Sequence, residues 1–149
     1  MAAAWLNSRE NIIAKVKPLL EPDEVVAHVV RGLDGRISRW LGIAIAFLVA
    51  FPLAGLIRVP FLAFALFFVL FTSLFPRRLI LATDRSLVVV RCGQYRWTPK
   101  AIIDRLDVDT KIGPLEGFWR STTLNGRRIY IVPRCYTDVL DADADVDSV

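Results

Sequence analysis

With 149 residues and 54% hydrophobic content, the chain exceeds the roughly 45–50% expected of an ordinary domain. The excess is local: 29 of the 37 residues from Trp40 to Pro76 are hydrophobic, eight of the nine phenylalanines lie there, and Arg58 is the only charge. On this distribution a simple soluble protein, a disordered tail protein and a disulfide-rich secreted domain are not expected. The net charge of +4 is also an average, of +8 over residues 1–133 and −4 over the last 16.

In chain order, Ser8 offers a cap for a short amphipathic stretch carrying Ile12, Ile13, Val16, Leu19 and Leu20, broken by Pro18. This predicts an N-terminal amphipathic helix within residues 1–20. Glu21-Pro22-Asp23 reads as a turn. Glu24 to Arg31 reads as a strand, ended by Gly32-Leu33-Asp34-Gly35.

Trp40 to Ile57 and Val59 to Phe75 are uncharged runs of 18 and 17 residues. As helices they would be roughly 25–27 Å long, just short of a ~30 Å hydrocarbon core. With Arg58-Val59-Pro60 between them, residues 40–76 are expected to form a transmembrane helical hairpin, a re-entrant wedge being the alternative. Arg31, Arg36 and Arg39 precede it, and Arg77, Arg78, Arg85, Arg91 and Arg96 follow. The positive-inside rule then places both termini in the cytoplasm, as in a multi-pass protein of the inner membrane. No cleaved signal peptide is evident in the first 30 residues. The lone pair of cysteines, Cys92 and Cys135, reads as reduced and structural.

Arg36, Arg39, Arg77 and Arg78 border the apolar segments, with Trp40 as an interfacial aromatic. They are the candidate lipid-headgroup or membrane-surface residues. Gly42, Ala46, Ala50 and Ala54 recur every four residues, a small-residue ridge suited to close helix packing. It serves either contact within the hairpin or self-association.

After the hairpin the pattern is β. Arg78 to Ala82 and Ser86 to Arg91 flank a polar turn, Thr83-Asp84-Arg85. Tyr95 to Thr98 and Ala101 to Leu106 are weaker strands around Pro99. Phe118 to Leu124 and Arg127 to Val132 flank Asn125-Gly126, a strong hairpin signal. Tyr136, Val139, Leu140 and Val146 predict a C-terminal helix with an acidic outer face. The first strand is expected to join the later sheet, because about 75 residues cannot form two stable domains.

Leu19-Leu20-Glu21-Pro22-Asp23-Glu24 leading into a strand, and Leu79 to Arg85 leading into Leu87-Val88-Val89-Val90, resemble bacterial pleckstrin-homology-like (PH-like) domains. In particular they resemble small actinobacterial membrane proteins in which a transmembrane helical hairpin interrupts such a domain. The resemblance covers roughly residues 19–142. It implies an α+β membrane protein with a small, bent antiparallel sheet or partial barrel, plugged by the C-terminal helix. Binding or scaffolding is implied more than catalysis. The basic loop with which eukaryotic relatives grip inositol phosphates has no clear counterpart. The expected division is an N-terminal helix over 1–20, a discontinuous PH-like domain over 21–39 and 77–142, the hairpin over 40–76, and an acidic tail over 143–149.

Catalytic patterns are sparse. His28 is the single histidine and sits in an apolar strand, which excludes a His–His metal pair. The cysteines are too far apart for zinc spacing, and no phosphate-cradling glycine loop occurs. Asp104, Asp107 and Asp109 cluster, and an enzyme would need a pair such as Asp107 and Asp109 in a pocket. Asp141, Asp143, Asp145 and Asp147 mimic the start of a calcium loop but lack its sixth-position glycine and twelfth-position ligand. The expectation is a non-enzyme without metal or cofactor: a membrane-anchored binding or scaffolding module at the inner face. Its partners would be membrane lipids, a membrane or cytoplasmic protein, or further copies in a homo-oligomer, and not nucleic acid. The partner site would be the sheet edge or the open mouth of the barrel. The alternative is an accessory subunit of a membrane transport or secretion complex.

Overall fold

The computed structural model describes residues 2–35, 37–57, 60–94 and 96–148. Helix α1 spans Ala2–Val16 and runs into a 3₁₀ turn at Lys17–Leu19. Ser8 therefore lies inside the first helix and does not open it. Strand β1 spans Val26–Asp34, helices α2 and α3 span Arg39–Ile57 and Pro60–Leu74, and strands β2, β3 and β4 span Arg77–Thr83, Ser86–Cys92 and Pro99–Asp107. Strands β5 and β6 span Ser121–Leu124 and Arg127–Ile131, and helix α4 spans Tyr136–Asp147.

The six strands form one antiparallel sheet in the order β4-β3-β2-β1-β6-β5, curled into a half-barrel. β1 is central: it pairs with β2 on one side and with β6 on the other. The strand before the helical hairpin thus completes the sheet that follows it. β1 also runs on to Asp34, through the Gly32 expected to end it. Asn125 and Gly126 take positive φ, of 48° and 72°, as the tight β5–β6 turn requires. The expected strand over Tyr95–Thr98 does not form at residues 96–98, and Tyr95 lies outside the described residues. Pro99 instead opens β4, an edge strand, where its missing N–H removes no ladder bond.

The near-continuous apolar runs in β2 and β3 follow from burial on both faces. Cross-strand register aligns Val30 with Ile80 and Ile80 with Val89. That row packs with Leu87, Ile129, Ile131, Val139 and Ala142, so α4 covers this face. The alternate row, Val29, Leu81 and Val88, packs with Leu79 and Val90 beneath Ile12 and Val16 of α1. Fully burying an aliphatic side chain of this kind contributes about 1.5–3 kcal/mol. The sheet is therefore the middle layer of three.

Residues 40–76 do fold as two helices, yet among the described residues no helix is long and apolar enough to cross a membrane. The 15 residues of α3 rise only about 22 Å, against a ~30 Å hydrocarbon core. A hairpin crosses only when both arms do. The expected transmembrane hairpin is therefore corrected to a two-helix α-hairpin. The expected multi-pass inner-membrane topology with cytoplasmic termini goes with it, as do the membrane-anchored function and the likeness to hairpin-interrupted membrane proteins. The transport-subunit alternative, which relied on the same hairpin packing in a membrane, loses its basis too.

Within this hairpin Ala46 and Ala50 are fully buried. A Cβ on Gly42 would come within 2.6 Å of the Phe75 ring, so the backbone is close to α3's end there. The side chain of Ala54 lies outside the described residues. Phe47 stacks on Phe51 and meets Phe67 at 4.9 Å between centroids. Large side chains on the outside, among them Leu48, Leu56, Phe61 and Phe64, are exposed.

Both cysteines are free and buried. Burial pushes the Cys92 thiol up to about 11, despite the nearby Arg78 and Arg77 charges. Burial also raises Cys135, with Asp138 adding to the effect and Arg31 opposing it. At pH 8 only about one Cys92 in a thousand would be thiolate, and thiolate is the reactive form. Maleimide labelling of either cysteine should be at least about a hundredfold slower in the folded protein than in urea.

Candidate functional site

The candidate site is a cleft of about 310 Å³ between α4 and one end of the half-barrel. β1 contributes Ala27 and His28. The β2–β3 turn contributes Ala82, Thr83, Asp84, Ser86 and Leu87. The segment after β4 contributes Val108, Asp109, Thr110 and Ile112, and α4 contributes Ala142, Asp143, Asp145 and Val146.

Each wall is held by specific bonds. The turn wall is locked from beneath by Glu24, whose side chain is fully buried. Thr83 Oγ1 and Ser86 Oγ donate to Glu24 Oε1 at 2.6 and 2.9 Å, and Arg105 Nη1 lies 3.3 Å from Oε2. Burial alone would raise the Glu24 pKa. The hydrogen bonds from Thr83, Ser86 and the Glu21 backbone, with the Arg105 charge, reverse this and hold it below the ordinary 4.5. Thr83 Oγ1 also accepts the Ser86 N–H at 3.0 Å, closing the turn on itself. The two segments that carried the family resemblance, one ending at Glu24 and one running through Thr83, are thus one hydrogen-bonded unit.

The α4 wall is tied at two points. Asp143 accepts the backbone N–H groups of Ile112 and Gly113 at 2.7 and 2.8 Å, so one carboxylate fixes the loop after β4. Asp145 Oδ2 lies 2.8 Å from His28 Nε2 and joins the helix to β1. Lys111 pairs with Asp147 at 2.5 Å just outside the cleft. Residues 143–147, read from sequence as an acidic tail, are therefore the last turns of α4 and form part of the site. Asp84 Oδ1 accepts the Val25 N–H at 3.0 Å. Asp107 and Asp109 are both exposed, and only Asp109 lines the cleft.

The residues expected at a membrane surface lie elsewhere, around the base of the hairpin. Arg78 is 7% exposed, and its Nη2 lies 2.6 Å from Asp34 Oδ2. The Arg39 guanidinium stacks 4.5 Å from the Trp119 ring centre and 5.5 Å from that of Tyr130. Arg77 sits 5.2 Å over Trp97, and Trp40 meets Trp119 edge-on at 5.9 Å. Arg36 lies outside the described residues. Arg39 and Trp40 thus tie the start of α2 to Trp119 and, through Arg39, to Tyr130 of β6, and neither they nor Arg77 and Arg78 line the cleft.

Sequence reasoning offered the sheet edge or the barrel mouth as a partner site and assigned to it none of the residues that line this cleft. His28 and Asp145 are 117 positions apart, and Glu24 and Thr83 are 59 apart. The usable signal was the Asp143 and Asp145 pair on the polar side of an amphipathic helix, which read as a solvated face.

Fold and site together define an α+β half-barrel with a C-terminal helix and a cleft between that helix and the β2–β3 turn. Compared with known proteins, the chain matches no family model, no curated protein and no solved structure.

Proposed function

We propose that this chain is a non-catalytic PH-like binding or scaffolding module whose partner site is the cleft between α4 and the β2–β3 turn. The observation that carries the reading is the cleft itself. It has an apolar floor from Leu87, Val108, Ile112 and Val146 and sits on rigid, hydrogen-bonded elements. Function of this kind needs a surface shaped for a partner and no reacting group, and Thr83, Ser86 and Asp143 hold the walls that shape it.

A partner protein fits better than an anionic lipid headgroup. Among the described residues no Lys or Arg lines the cleft, while Arg39, Arg77 and Arg78 are engaged with rings or with Asp34. A photocrosslinking amino acid at Val108, 43% exposed on the cleft wall, tests the reading in cells. The expected result is a discrete adduct, lost when Ala82→Phe fills the cleft and absent with the crosslinker at Phe118 on the far loop. Equal adducts from both positions, or no adduct at Val108, would overturn it.

A further inference from the structure

Resting on the reading of the cleft as the binding site, we infer that its ligand is an organic cation with an apolar body. The body would be a hydrocarbon or aromatic group that fits a cavity of about 310 Å³, and it would carry an ammonium or guanidinium group. The chain has 19 Lys and Arg against 15 Asp and Glu, yet this cavity runs against that balance. Asp84, Asp109, Asp143 and Asp145 line it, and among the described residues His28 is its only basic side chain, with no Lys or Arg in the lining.

Apart from the contact of Asp145 with His28, these acidic groups make no ion pair among the described residues. Asp143 and Asp84 accept backbone N–H groups, which orient a carboxylate without cancelling its charge. Asp145 is 70% exposed beyond its contact with His28, and Asp109 makes no ion pair among the described residues. The apolar floor recognises the body of the ligand. A carboxylate or phosphate would meet four like charges, and partial exclusion of water by the cleft walls strengthens that discrimination over its value in bulk solvent. A neutral apolar ligand would leave the rim unused. The same chemistry is carried by a free amine and by the Lys or Arg side chain of a peptide beside an apolar residue.

The test titrates the full-length chain, kept in a neutral non-ionic detergent, and follows backbone amide shifts at Val108, Thr110 and Val146. The probes are phenethylamine and phenylpropionate, which share a body and differ in charge, and the capped dipeptides Leu-Arg and Leu-Glu. The amine and Leu-Arg should each bind at least about tenfold more tightly than their acidic counterparts. Asp109→Asn and Asp84→Asn should each narrow that gap about threefold, as expected of partly exposed charge pairs. Tighter binding of Leu-Arg than of the amine supports the partner-protein source proposed above, and the reverse would overturn that source while leaving the cation assignment standing. Equal shifts from both charge types would overturn the cation assignment while leaving the binding-module reading intact. No shift at the cleft with any probe, or shifts confined to the exposed hairpin side chains, would overturn both.

Discussion

Replacing Asp34 with alanine is expected to destabilise the fold by about 3–5 kcal/mol, because it strands the Arg78 guanidinium inside the protein. Asp34 and Arg78 are 5% and 7% exposed, and their side chains meet at 2.6 Å. Arg78 Nη1 already has no hydrogen-bond partner among the described residues, so removing the carboxylate leaves a buried cation with further unmet donors. The pair joins the end of β1 to the start of β2, next to the root of the hairpin. The loss should appear as a large fall in the urea midpoint with an unchanged slope. The double variant Asp34→Leu, Arg78→Met should recover most of it, since an apolar pair of similar volume carries no desolvation cost. Failure of the double variant to recover would show that the charges stabilise through contacts beyond each other.

Glu24→Ala should rank second, at about 2–3 kcal/mol, through loss of charge-assisted hydrogen bonds from Thr83 and Ser86 and of the Arg105 contact. The cost is bounded because the Thr83 hydroxyl, released from Glu24, can donate its one proton to the Ser86 carbonyl 2.7 Å away. The same carboxylate makes stability depend on pH. Its folded-state pKa lies below the ordinary 4.5, so the unfolded chain binds the proton more readily. The stabilisation is fully present above the unfolded value and is lost as pH falls through the folded one. Urea midpoints measured from pH 6 down to pH 3 should fall for the native chain, and Glu24→Gln should flatten part of that slope. An unchanged slope in Glu24→Gln would assign the acid sensitivity to other carboxylates. Because Glu24 supports the β2–β3 turn, the alanine variant should also loosen the cleft wall, with larger amide shifts at Asp84 and Leu87 than at Leu124.

Much of the sheet was legible from local pattern. The runs at 78–82 and 86–91 became β2 and β3, Asn125-Gly126 became the β5–β6 turn, and residues from Tyr136 onward became α4. These features depend on neighbours within a few residues, where periodicity and turn chemistry act. The site was less legible because the bonds that join its walls to one another are long-range. Nothing in a strand containing His28 reveals that an aspartate 117 positions later will meet it.

The arginines mark the same boundary. A basic residue beside an apolar run reads as a headgroup contact, since hydropathy records neighbours along the chain alone. In the folded protein Arg78 finds a carboxylate 44 positions away, and Arg39 finds the rings of Trp119 and Tyr130.

By itself, then, the sequence determined which segments are apolar, where the chain turns, and that the strand before the hairpin belongs with those after it. Those properties follow from composition, period and the size a stable core requires. Only the tertiary structure decided that α3 stops at 15 residues, too short to cross a membrane, that the hairpin's small residues pack inward, and that the acidic helix walls a cleft. Helix length, side-chain pairing and cavity shape depend on contacts between distant segments, which no local pattern records.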